Sequence, residues 1–203
     1  MITNKFYDLA KNKLFRLNRS ITGKGTLKTL KIIKNYFPEL KIKSFYSGEK
    51  VYDWKIPPEW NVKEAYIEDK NKKKIIDFKN NNLHLVGYSM PITKILSKGD
   101  ILKKIYCNHK IKNAIPYITS YYKKDWGFCL SYNKKEKIKK NYSDNDKFKI
   151  KIDSSYKLNG KLHYGEILLG NKNNRKEILI STYVCHPSMA NNELSGPILS
   201  MSL

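Results

Sequence analysis

Residues 185–196, which read CHPSMANNELSG, carry the residue types in this chain that are best suited to metal chemistry. A neutral imidazole such as that of His186 is a good zinc ligand, and its second nitrogen needs a partner that fixes the tautomer. Asn192 follows six residues later and brings a polar oxygen to the start of a predicted helix. The two side chains can converge on one metal ion. For His186 taken alone, a histidine satisfied by local hydrogen bonds is the alternative.

The elements around His186 are predicted to be a buried strand and a helix start. Residues 177–185 contain a continuous apolar run bounded by charge, which is typical of a strand covered on both faces. An open α/β sheet binds ligands outside the carboxyl ends of its strands, where His186 would lie. Asn191 or Asn192 is predicted to cap the following helix, with Glu193 in its first turn.

Cys185 offers a second chemistry, a Cys–His nucleophile pair with His186. Adjacent residues of a strand point to opposite faces, so this pairing is not expected. We interpret Cys185 as a small core residue.

The rest of the chain indicates an α/β fold with a β-rich insertion. Periodicity predicts two helices and a strand near the beginning, over residues 4–17, 27–37 and 41–46. An aromatic, proline-rich stretch then opens a series of short predicted strands, among them 83–88 and 147–152. We predict three parts: an α/β element over 1–50, a β-rich insert over 51–150, and a return to the α/β sheet over 151–203.

Composition limits the function classes. The 203 residues carry a formal net charge of +22, but only Arg16, Arg19 and Arg175 of the 40 basic residues are arginine. Lysine is the weaker reader of bases and phosphates, and the lysines are spread along the chain, so specific nucleic-acid binding is not expected. Three cysteines without C-x-x-C spacing argue against a disulfide framework. Without an apolar leader or a membrane-length run, we expect a soluble, cytoplasmic protein.

The string TYVCHPSMANNELSGP at residues 182–197 resembles the signature of bacterial aminopeptidase-like proteins of the zinc-dependent exopeptidase superfamily, often encoded with polysaccharide-biosynthesis genes. Other stretches resemble the inserted domain of that family: 52–60, 83–89, 114–122 and 126–129. Residues 160–166 resemble its return strand. The resemblance covers nearly the whole chain in the order of the family.

This resemblance implies a three-layer α-β-α sheet with a β-rich insertion. It also implies a site in which two zinc ions ~3.5–4 Å apart polarise a carbonyl and activate a water. On this pattern His186 is a ligand of one zinc ion. Asn192 stands where the family often has an aspartate that bridges the two metals, and a neutral amide is a poorer bridge. The implied substrate is a peptide-like or other small amide-containing molecule.

The later ligands and the general-base glutamate of such enzymes would follow Leu203. We therefore expect the chain to be an N-terminal fragment of a zinc-dependent metallohydrolase that is inactive alone, with no complete catalytic set of its own. A non-catalytic binding or scaffold module linked to polysaccharide biosynthesis is the alternative.

Overall fold

The protein is described here from a computed structural model that defines residues 4–171, 173 and 175–203. Within these residues the chain divides into two compact units. The terminal unit joins the residues up to Glu59 with Lys157–Leu203, and the central unit comprises Trp60–Tyr156. Both His186 and Asn192 therefore belong to the terminal unit.

The strands are short, and the described part of the chain contains ten of them: β1 (Lys41–Tyr46), β2 (Lys50–Val51), β3 (Trp54–Lys55), β4 (Glu59–Glu68), β5 (Lys74–Asp77), β6 (Ile92–Ser97), β7 (Ile105–Tyr106), β8 (Phe128–Cys129), β9 (Lys147–Lys157) and β10 (Lys161–Glu166).

Five α-helices accompany the strands in the same described residues: α1 (Asn4–Leu9), α2 (Lys24–Lys34), α3 (Lys98–Lys103), α4 (Tyr132–Asn141) and α5 (Ser195–Ser200). A π-helical turn at Ala10–Leu14 extends α1, and a second one at Ala190–Leu194 precedes α5. A 3₁₀ turn spans Asn82–His84. None of these helices has the length and apolar character needed to cross a membrane.

The core of the terminal unit brings the beginning of the chain together with its last helix. Its buried cluster contains residues from α1, α2, α5 and the turns beside them: Leu9, Leu14, Ile33, Leu40, Leu194, Ile198 and Met201. Burying one aliphatic side chain of this size stabilises a fold by ~1.5–3 kcal/mol. Antiparallel pairing of β1 with β10, from Lys41 opposite Glu166 to Tyr46 opposite Lys161, joins the two chain segments a second time.

The central unit is built on a four-stranded sheet with the order β5-β4-β9-β6. In β9, buried Phe148, Ile150 and Ile152 alternate with more exposed lysines, so one face of the strand packs on the core. The strand predicted at 147–152 is therefore confirmed, and it continues to Lys157.

The strand predicted at 83–88 is wrong. The Asn81 side chain accepts a hydrogen bond from the Leu83 N–H at 3.0 Å and closes a 3₁₀ turn instead. Tyr88 has a φ of 63°, which ends any extended run, and its ring stacks on Trp60 with centroids 5.5 Å apart. Local side-chain bonding and aromatic packing thus override the alternating pattern.

The buried strand predicted at 177–185 is also wrong in this structure. Those residues are irregular, and Ile178 and Leu179 are 91% and 90% exposed. A run that is apolar on both faces forms a buried strand only where neighbouring strands and covering helices exist. None of the described strands pairs with residues 177–185. The described sheets of the terminal unit are the two-stranded pairs β1-β10 and β2-β3. The fold is mixed α/β with small sheets.

Burial lowers the pKa of His84, because the imidazolium is poorly solvated there, while the hydrogen bond to the Cys129 carbonyl partly opposes the shift. Below the ordinary histidine pKa of 6.5 the unfolded chain therefore binds more protons than the folded chain. We expect the free energy of unfolding to decrease as the pH falls below that value. Urea unfolding monitored by tryptophan fluorescence measures this loss. This loss of stability at low pH should be smaller in His84→Gln. The control is His109→Gln, which changes an exposed histidine and should keep the full loss. Equal pH dependence of stability in the wild type and in His84→Gln contradicts the prediction.

Ile178 and Leu179 are consecutive and almost fully exposed, and adjoining exposed apolar side chains favour self-association of the chain. We expect the double substitution Ile178→Ser with Leu179→Ser to weaken self-association by about tenfold or more, since ~1.4 kcal/mol corresponds to tenfold in affinity. Sedimentation over a range of concentrations measures this change. The matched control is Ile111→Ser with Leu158→Ser, because these two apolar side chains are exposed but lie far apart from each other in the sequence. If both double variants self-associate with the same affinity, residues 178 and 179 have no specific role in self-association.

Candidate functional site

His186 lies just before the buried Pro187 and ahead of the π-helical turn that leads into α5. The N-cap of that turn is Met189, which makes no side-chain cap hydrogen bond. Asn191 and Asn192 lie inside the turn, so the predicted capping role of either asparagine is wrong. Glu193 occupies the first turn as predicted.

Glu193 holds His186 through two hydrogen bonds. Its Oε1 accepts the backbone N–H of His186 at 2.8 Å, and its Oε2 lies 2.7 Å from His186 Nδ1. With an ionised carboxylate as the acceptor, Nδ1 carries the proton and the imidazole lone pair is on Nε2. A carboxylate that fixes the histidine tautomer in this way is a recurring partner of metal-bound histidine.

Arg19 completes the cluster from the other end of the sequence. Its Nε donates to the His186 carbonyl oxygen at 2.9 Å and lies 3.7 Å from Glu193 Oε1. The side chains of Arg19 and Glu193 are both completely buried. Removing one member of such a pair leaves an uncompensated charge away from water.

The loop that carries Arg19 passes directly over the start of α2. A Cβ added at Gly25 would lie 1.9 Å from the Asn18 carbonyl oxygen, so only glycine permits this approach. The Arg19 Nη1 also donates to the Leu14 carbonyl oxygen at the end of the first helical segment. These contacts place the guanidinium against the His186 backbone.

The other side of His186 is bounded by residues 182 and 183. The Tyr183 ring packs edge-on against the His186 ring, with centroids 5.4 Å apart. A Cβ added at Gly196 would lie 2.0 Å from Thr182 Oγ1, so the glycine at the helix start lets this segment approach.

Burial acts against both charges of the cluster. It raises the pKa of Glu193, while the hydrogen bonds from His186 and the charge of Arg19 lower it. Burial likewise lowers the pKa of Arg19, and the charge of Glu193 raises it. Each charge therefore reduces the desolvation penalty of the other.

Cys185 lies close to His186 after all, because the segment is not a strand. Its Sγ is 3.4 Å from His186 Nδ1, so the argument from opposite strand faces is wrong. Burial raises the pKa of the Cys185 thiol to about 12. A thiol this weakly acidic is a poor nucleophile at neutral pH.

Ligand atoms of Cys185, His186 and Glu193 lie within 4.8 Å of one another, which outlines a possible metal cluster among the described residues. His186 fits a metal through Nε2. Cys185 would coordinate as a thiolate, and both carboxylate oxygens of Glu193 already lie against His186 or Arg19. Asn192 is exposed in the π-helical turn. The cluster therefore suits one histidine ligand with a buried carboxylate partner.

We expect Glu193→Gln to lower the free energy of unfolding by ~3–5 kcal/mol, because it leaves Arg19 as a buried charge without a counter-ion. Urea-induced unfolding followed by circular dichroism measures the loss. Glu166→Gln is the matched control, since Glu166 pairs with Lys43 at 2.7 Å where both side chains are about half exposed, and we expect little change there. Equal losses in the two variants are incompatible with the prediction.

Residues 59–155 match the protein family described as "Domain of unknown function (DUF2172)", and these bounds nearly coincide with those of the central unit. A curated protein from Clostridium acetobutylicum is 43% identical over 187 residues, which are 92% of this chain and 41% of that protein. It is provisionally named as a polysaccharide biosynthesis protein with an aminopeptidase-like domain.

The fold is shared with a crystal structure from Clostridium acetobutylicum that is provisionally described as a peptidase. The two have a TM-score of 0.90 and 42% sequence identity over 98% of this chain and 45% of that chain. The chain thus spans less than half the length of either relative. The resemblance to aminopeptidase-like proteins is confirmed: over most of its length, this chain is homologous to the curated protein named for polysaccharide biosynthesis and an aminopeptidase-like domain.

Proposed function

We propose that the chain is the N-terminal part of a zinc-dependent, aminopeptidase-like hydrolase in which His186 binds the metal through Nε2. The observation that carries the proposal is the 2.7 Å contact between His186 Nδ1 and Glu193 Oε2. With the carboxylate ionised, this contact favours the tautomer protonated at Nδ1, in which Nε2 has the lone pair that a metal ligand needs. The relatives from Clostridium acetobutylicum support the peptidase class.

Asn192 is the second ligand that we propose, through its amide oxygen. The side chain is exposed one residue before the buried Glu193, so a metal could reach it without disturbing the ion pair. When bound, zinc would supply Lewis acidity toward an amide carbonyl and make water a nucleophile at neutral pH. Glu193 orients the imidazole and does not itself coordinate, because its oxygens are already engaged.

Zinc sites use three or four protein ligands, more than His186 and Asn192 provide. We propose that the further ligands and the general base come from the part of the relatives that this chain does not span. On the same proposal, residues 177–185 become an inner strand of a three-layer sheet, which accounts for the exposure of Ile178 and Leu179. The substrate class would be a small molecule with a peptide-like or amide bond.

The incomplete donor set also favours a second candidate, a non-catalytic binding or scaffold module linked to polysaccharide biosynthesis. In that case His186 would be held by Glu193 for structural reasons alone. Zinc binding at His186 distinguishes the two candidates, since a purely structural histidine has no reason to bind metal.

We expect His186→Ala to weaken zinc binding by at least about tenfold, because it removes the one ligand whose lone pair is oriented by a carboxylate. Equilibrium dialysis with elemental analysis gives the dissociation constant. His109→Ala removes an exposed histidine of the central unit and should leave the constant unchanged. Equal zinc affinity in wild type and His186→Ala would eliminate the ligand role.

A further inference from the structure

We infer that Arg19 is the positioning residue for the proposed metal ligand His186, acting through Glu193 and through the His186 backbone. The inference rests on the proposed function, because the orientation of His186 matters to the reaction only if His186 binds a metal. Arg19 lies 167 residues before His186, and none of the resemblances in the sequence includes it.

The first argument is that both backbone hydrogen-bonding groups of His186 are held by this pair. The N–H donates to Glu193 Oε1 at 2.8 Å, and the carbonyl oxygen accepts from Arg19 Nε at 2.9 Å. With the backbone fixed at both ends, the imidazole can move only by side-chain rotation. The contact between Nδ1 and Glu193 Oε2 then restrains that rotation.

The second argument is that Arg19 itself is anchored. Its Nη1 donates to the carbonyl of Leu14, whose side chain is completely buried in the core cluster. Two nitrogens of the planar guanidinium therefore make these contacts: Nε faces both the His186 carbonyl and the Glu193 carboxylate, and Nη1 faces the Leu14 carbonyl. A lysine presents one compact ammonium and cannot reproduce contacts that diverge in this way.

The third argument is energetic. A buried ion pair is frequently no more stabilising than apolar side chains of the same volume. Arg19 also has an Nη2 without a hydrogen-bond partner among the described residues, and such a buried donor costs free energy. Apolar side chains in place of both charges could therefore serve stability equally well, whereas only the charged pair holds the His186 backbone and ring.

The test uses the whole chain labelled with ¹⁵N-histidine, at mildly alkaline pH where histidine is neutral. Long-range ¹H–¹⁵N correlation spectra report the tautomer, and the His186 signals are assigned from their loss in His186→Ala. We expect one Nδ1–H tautomer in the wild type and a mixture with the Nε2–H tautomer in Arg19→Lys and Arg19→Gln. Zinc dissociation constants of these variants should rise by about 10–100-fold.

Arg16→Lys is the matched control, because Arg16 is exposed three residues away from Arg19 and the substitution is the same. Signals of His163, in β10 of the terminal unit, report whether that unit remains folded in each variant. An unchanged His186 tautomer in folded Arg19→Lys and Arg19→Gln overturns the inference, whatever the zinc result. Conversely, a tautomer change in a protein that binds no zinc at His186 refutes the proposed function and leaves the positioning by Arg19 supported.

Discussion

The buried ion pair of Arg19 and Glu193 is the interaction on which the geometry around His186 depends. Each charge is stable inside the terminal unit only because the other is present, and together they hold the His186 backbone and ring. The core cluster keeps the two charges in place, since Leu194 directly follows Glu193, the Leu14 carbonyl accepts a hydrogen bond from Arg19, and both leucines are buried. The chemistry of one histidine is thus a consequence of packing between the first and last helical segments.

Patterns that depend on local sequence were predicted well. In β9 apolar residues alternate with polar ones, and this pattern requires only that one face of the strand is buried. The helical segments of the terminal unit likewise bury apolar stripes that are visible in the sequence. His186 was singled out because it follows the apolar run at 177–185 and lies in the segment that resembles the family signature, and its role as a metal ligand stays a prediction. The prediction of a strand over 83–88 was wrong because Asn81 closes a turn and Tyr88 adopts a positive φ. Neither feature alters the alternation of apolar residues on which the prediction depended.

The partners of His186 could not be predicted, because they depend on tertiary contacts. Arg19 is 167 residues away in sequence, and Glu193 was recognised only as a helix-start acid. One signal was present: arginine is rare in this lysine-rich chain, and a guanidinium is the cation best suited to a buried pair. The scarcity of arginine argues against nucleic-acid binding, and it also marks the few positions where lysine would not serve.

The two segments of the terminal unit are separated in sequence by the whole central unit, which has consequences for how the site forms. Arg19 comes from the segment before Trp60, and His186 and Glu193 come from the segment after Tyr156. Pairing of β1 with β10 is the regular structure that joins these segments, and it brings Lys41 opposite Glu166. Closing the long loop between the two segments costs entropy, which the β1-β10 pairing and the shared core offset for the ion pair as well. The His186 site therefore requires both segments of the terminal unit and cannot be carried by the 185–196 segment alone.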